Sequence, residues 1–272
     1  MINSINTNTS AMIALQRFSG TRNGLDKTQS HISSGNKVNS PKDDAATLAV
    51  AERLLAAFSG TEAVRDGLDR ASATIDVALA AGQSTADILV EMKGLAVQAN
   101  QEGLDQSSRD ALDSAFDALR EQITTINDSA DFAGTNIIAA GAADQDVLGD
   151  EDGARITVSA QDLSSGGLGL DGLALDSAGN AASALGALDA AIADASGKLA
   201  NLGSSAKQVD THNDLLGTRN DTLRAGIGNL VDADMAAESA ALQSNQIKES
   251  LGIISLSVAN AAPSRMIALF GG

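Results

Sequence analysis

Two histidines, His31 and His212, are the side chains here best suited to acid–base or metal chemistry. His31 adjoins the apolar position Ile32 and His212 adjoins Asn213, so both read as bundle-edge residues and not as catalysts. No His-Glu-x-x-His pair occurs that could seat zinc. Asp144, Asp146, Asp150, Glu151 and Asp152 offer the oxygen ligands calcium favours. They lack the glycine and closing glutamate at EF-hand spacing, so the run reads as a solvated turn. Gly166-Gly167 with Gly169 follows no strand-to-helix pattern that would cradle a phosphate. Zero cysteines exclude disulfides, thiolate metal sites and cysteine nucleophiles. The sequence predicts no catalytic, cofactor or metal site, and no enzyme.

The most structured local motif serves helix geometry instead. Ser40-Pro41-Lys42-Asp43 reads as a capping box, with Ser40 as N-cap, Pro41 at the first helical position and Asp43 reaching back. Asp43 and Asp44 also suit the positive end of a helix dipole. Gly35 ahead of them permits a left-handed turn between two helices.

The helices so positioned are long and striped. From Val64 the apolar or small positions advance in steps of four and three through Leu68, Ala71, Ile75, Ala78, Gly82, Thr85, Leu89, Met92 and Ala96 to Ala99. A second series runs from Leu185 through Leu188, Ile192, Ala195, Leu199, Leu202, Ala206, Val209, Asn213, Leu216, Asn220, Leu223 and Ile227 to Leu230. Such heptads predict two coiled-coil helices that pair antiparallel, with Asn213 and Asn220 as polar register markers. A third helix is expected over Leu104–Ile126, capped by Ser107 or Ser108, with Leu112, Ala115, Leu119, Gln122 and Ile126 facing the pair. Between 130 and 180 the helical period fails. Asn136–Ala140 and Arg155–Ala160 read as short strands, and Ser164–Gly172 reads as loops and turns.

Both chain ends carry their own stripes. Ala11, Phe18, Leu25 and Ile32 recur every seven residues, supported by Ala14. Ala240, Ser244, Ile247, Leu251, Ile254, Val258 and Ala261 follow in four-three steps, and Pro263 is expected to stop that helix. The predicted fold class is mainly α, a long antiparallel coiled-coil bundle with paired terminal helices and a small β-hairpin region in the middle.

Charge divides along the same lines. Residues 1–37 carry four basic groups against Asp26, and residues 235–272 are neutral, so the whole-chain charge of −17 leaves −20 for residues 38–234. Near-neutral striped ends want burial against copies of the chain, and an acidic middle wants water. Aromatics make up 2% of the chain, too few for the ring-lined core and pockets of a compact enzyme. A pI near 4.3 argues against nucleic acid, and no apolar run reaches the roughly 18 residues that span a bilayer. The first twenty residues lack the apolar core of a signal peptide, so the chain is expected to be cytosolic or exported without a cleaved signal.

Four segments resemble bacterial flagellins. They are Asn6-Thr7-Asn8, Ile32–Ala46 with its Ser-Pro-Lys-Asp-Asp-Ala-Ala core, Leu95-Ala96-Val97-Gln98 with Ala99-Asn100, and Asp232–Glu238. The resemblance covers roughly residues 1–140 and 180–272. The tail departs from the family's Leu-Leu-Arg-like ending at Met266, Ile267, Leu269 and Phe270.

The resemblance implies a filament subunit for swimming motility. Residues 1–37 with 232–272 would form an inner terminal coiled-coil tube, and 38–231 an outer helical-bundle domain. Ala11, Phe18, Leu25, Ile32, Ala240, Ile247, Leu251, Ile254 and Val258 would be the polymerisation contacts. It further implies type III export, an extracellular location, and a hook–filament junction protein, a filament cap and an export chaperone as partners beside the chain itself. An innate immune receptor engages an arginine in many flagellins at the position held here by Glu91, so weak receptor activation is implied. Two other readings remain: the related hook–filament junction protein, and an unrelated coiled-coil adaptor.

Overall fold

A computed structural model describes residues 7–270, with side chains as far as Ala261. Its elements are α1 (Thr9–Ser34), α2 (Pro41–Ala99), α3 (Gln106–Ser129), β1 (Gln145–Leu148), β2 (Arg155–Val158), α4 (Ala178–Val231) and α5 (Met235–Phe270). The chain divides into two compact units, residues 1–56 with 222–272 and residues 57–221. The first unit contains the antiparallel pair α1 and α5, described below.

The second unit is a helical bundle built on the long stripes. All eleven α2 stripe positions from Val64 to Ala99 are buried. Nine of them, all but Gly82 and Thr85, join Ala181, Ala184, Leu188, Ala195, Leu202, Val209 and Leu216 of α4 in one apolar cluster. The antiparallel register is fixed by polar side chains. Glu62 accepts from Asn220 Nδ2 at 2.5 Å, Arg65 Nε donates to Asn213 Oδ1 at 3.0 Å, and Asp69 accepts from the same Asn213 amide. Both seam asparagines thus bind charged groups across the helix pair, which penalises any slipped register.

Helix α3 lays Phe116 and Ile123 into that cluster. It begins two residues later than expected, and its N-cap is Asp105, not Ser107 or Ser108. The Asp105 carboxylate accepts from the Ser108 N–H at 3.2 Å and from both serine hydroxyls. Those hydroxyls, Ser107 first, hold its pKa down at about 2. The core-facing side is also rotated from the expected one. Leu112, Leu119 and Ile126 flank the buried Phe116 and Ile123, while Ala115 and Gln122 are exposed. At the other end of the connection the buried Arg109 guanidinium donates to the carbonyls of Ala99 and Gln101, closing the C-terminus of α2.

The middle holds one two-stranded antiparallel sheet, with Gln145 opposite Val158 and Leu148 opposite Arg155. Asn136–Ala140 is not a strand. Asn136 Oδ1 accepts from the Ile138 and Ala139 N–H groups, which winds the segment into an Asx turn. Ile137 and Ile138 are nonetheless fully buried, so the apolar signal marked core and not strand. The hairpin tip binds α4 through an ion pair between Glu151 and Arg219.

Candidate polymerisation interface

Within the first unit α1 packs on α5 through one heptad series of polar and small residues. Glu238, Asn245, Gly252 and Ala259 recur every seven residues. His31 Nδ1 lies 2.8 Å from Glu238 Oε1, and Asn245 Nδ2 donates to Thr28 Oγ1 at 3.4 Å. Gly252 admits the Phe18 ring, since a Cβ there would stand 2.9 Å from Phe18 Cδ2. Asn8 Nδ2 donates to the Ala259 carbonyl at 2.7 Å. Arg22 flanks the seam, 3.6 Å from Glu249 and over the Phe18 ring. Leu25 is buried in the contact, and Ala11, Phe18 and Ile32 are half-buried.

The stripe expected on α5 is not the face that packs on α1. At about 100° per residue, Ile254 stands on the side of the helix turned away from Gly252. Ile247, Leu251, Ile254 and Val258 are 59–63% exposed, and Ala240 is exposed with them. Helix α5 is therefore two-faced, with the Glu238–Ala259 heptad on α1 beside the half-buried Leu242 and Leu256, and its apolar heptad open to solvent. Met12, Ile13 and Leu15 of α1 are more than half exposed as well.

Helix α5 also runs on to Phe270, through Pro263. Proline has no N–H to give the carbonyl four residues back, which is that of Ala259. The Asn8 amide fills this place, while its Oδ1 accepts the Ala11 N–H at 3.0 Å and caps α1. The apolar side chains expected at 266, 267, 269 and 270, and Asn6, lie outside the described residues.

Two connectors join the terminal helices to their neighbours, and they are pinned to each other. Gly35, at φ 74°, ends α1 in a left-handed turn that L side chains avoid. Asn36 forms a β-bridge with Asp232. The Lys37 N–H donates to Val231 O at 2.7 Å, and the Ala233 N–H to Gly35 O at 2.8 Å. Asp234 then caps α5 by accepting from the N–H groups of Ala236 and Ala237.

The Ser40–Asp44 motif forms two successive caps. Asp43 reaches back to the Ser40 N–H at 3.1 Å, but the Ser40 hydroxyl donates to that carboxylate and does not cap a backbone N–H. Asp44 is non-helical, at φ −161° and ψ 101°, so it caps the long run of α2 and does not sit within its first turn. It accepts from the Ala46 and Thr47 N–H groups at 3.0 Å. The Ser40 hydroxyl lowers the Asp43 pKa, and the Thr47 hydroxyl lowers that of Asp44. Glu91 is exposed on α2.

Residues 5–143 match the bacterial flagellin N-terminal helical region, and residues 185–270 the C-terminal one. Flagellin FljM of Caulobacter vibrioides is 43% identical over 270 residues, covering 99% of each chain. The chain belongs to the bacterial flagellins. A flagellin of Brucella melitensis is 28% identical, again over 99% of both chains. A putative flagellar hook-associated protein from Vibrio parahaemolyticus shares the fold, with a TM-score of 0.60 at 15% identity over 70% of this chain and all of the other. This flagellin is a structural subunit that polymerises into the extracellular filament of the bacterial flagellum. Full-length identity to flagellins sets aside the unrelated adaptor and favours the filament over the junction protein.

Sequence reasoning paired the terminal helices and put Phe18 and Leu25 on the α1 stripe, but it missed the polar members of the intrachain seam. His31 read as a bundle-edge residue, yet it is buried against Glu238. The spacing of Gly24, Thr28 and His31, in steps of four and three, was the available signal. Thr28, His31, Glu238, Asn245 and Gly252 carry no apolar signal, although Phe18 and Leu25 share their seam.

Proposed function

We propose that the terminal helices carry the polymerisation contact and form the inner layer of the filament. Residues 1–37 with 232–272 make that layer, and 38–231 face outward. The observation that supports this is the solvent-exposed apolar heptad of α5. Covering it against neighbouring copies removes Ile247, Leu251, Ile254 and Val258 from water, each worth about 1.5–3 kcal/mol when fully buried. Ala11, Phe18, Leu25 and Ile32 act one step removed, by holding α5 so that this face is presented.

The test is growth of purified full-length chain on filament seeds. Leu251→Asp places a charge at the centre of the exposed stripe and should abolish elongation while the bundle stays helical by circular dichroism. Elongation of that variant at the unaltered rate would sink the assignment. The same reading takes the flagellin as a non-catalytic subunit. Its further partners would be the hook–filament junction protein, a filament cap and an export chaperone. Glu91, in place of an arginine, makes it a weak activator of the innate immune receptor.

A further inference from the structure

The α1–α5 pair has two flanks of unlike charge that the polymerisation reading leaves unassigned. One flank holds a slot of about 260 Å³ walled by Phe18 and Leu251, with the hydroxyls of Thr21 and Ser255 and the cations Arg17 and Lys248. Neither cation has an ion-pair partner among the described residues: the charged contacts made by α1 and α5 join Arg22 to Glu249, Lys27 to Asp43 of α2, and His31 to Glu238. Asp26 follows Arg17 by nine residues, which at about 100° per residue turns it to the opposite side of α1. It is exposed and likewise has no ion-pair partner among the described residues. These three are the unpaired ionised groups of α1 and of α5 as far as Ala261.

We propose that the Arg17–Lys248 slot receives Asp26 of a neighbouring copy in the filament, an inference that rests on the terminal helices being the polymerisation contact. The occupant follows from charge. A slot facing a copy of itself would set four cations together, whereas the Asp26 flank brings the opposite sign to it. The contact joins two different surfaces, so it is heterologous, and such contacts propagate along an open helix instead of closing as a two-fold dimer. Its role is to steer and register incoming copies, while the apolar heptad of α5 supplies the buried area.

Charge reversal and exchange test this with full-length chain on seeds at low ionic strength. Asp26→Lys, and separately Arg17→Glu with Lys248→Glu, should each slow elongation about tenfold, as expected for charges that govern encounter. An equal mixture of the two variants should regain a rate within about twofold of the starting chain, because each restores the partner the other lacks. A single chain carrying all three changes should do the same. Asp26→Asn, which removes the charge and keeps the shape, should slow growth by a smaller factor. Either reversal growing at the unaltered rate overturns the pairing, and so does failure of both the mixture and the triple variant to recover. Ile254→Asp, on the exposed heptad and outside the slot, run in parallel separates the two ideas. If it blocks growth while the charge variants grow normally, only the flank pairing falls. If it grows normally, the terminal-helix reading falls.

Discussion

Asn8 holds the open end of the terminal pair through two hydrogen bonds, and one of them exists to answer a proline. Its Oδ1 caps α1 at the Ala11 N–H, and its Nδ2 donates to the Ala259 carbonyl that Pro263 leaves without a helical donor. Asn8→Ala removes both. Loss of the cap costs about 1 kcal/mol, and loss of the second bond about another 1 kcal/mol. The sum of about 2 kcal/mol corresponds to roughly a thirtyfold change in the opening equilibrium. In a Pro263→Ala chain the new N–H satisfies Ala259 within the helix, so Asn8→Ala should cost only the cap, about fivefold. The assay is hydrogen exchange of the first turns of α1 in assembled filaments, for all four chains of the double-mutant cycle. Equal loss of protection in both backgrounds would refute the link between Asn8 and the proline.

Three further outcomes follow from the bundle and its surface. Phe116→Ala empties a fully buried ring site in α3 and should lower the urea stability of the chain by about 3–5 kcal/mol. Asp105 should titrate near pH 2 by carboxyl NMR, against an ordinary value of 3.8, and should move back toward 3.8 in a Ser107→Ala, Ser108→Ala chain. Its folded pKa is depressed, so the cap it supplies is complete above pH 3.8 and is lost as the pH falls through about 2. Glu91→Arg should raise the response of innate-receptor reporter cells, and an unchanged response would remove that position from recognition.

The long helices were legible because their partners lie in the same chain. Every α2 position chosen by spacing is buried, since Ala, Leu and Ile at heptad intervals have a single cheap place to go. Asn213 and Asn220 were equally readable, because a polar residue on an apolar seam needs a named partner. Local hydrogen bonds were harder. Asp105 caps α3 ahead of two serines that spacing favoured, and Asn136 turns an apolar pair away from a strand. Pro263 did not end α5, and Asn8, 255 residues before it, supplies a donor for the carbonyl the proline strands. The terminal stripes show the limit most clearly. Heptad spacing identified Ile247, Leu251, Ile254 and Val258 as a face that wants a partner, but not that α1 would take the opposite, polar face.

The central claim is that the paired termini drive assembly. It is tested most directly by electron microscopy of purified chain added to short filament seeds, beside a version lacking residues 1–35. Long filaments from the full chain, and none from the truncated one, are the predicted result. Equal growth of the two would contradict it and would move the polymerisation contact out of the terminal pair.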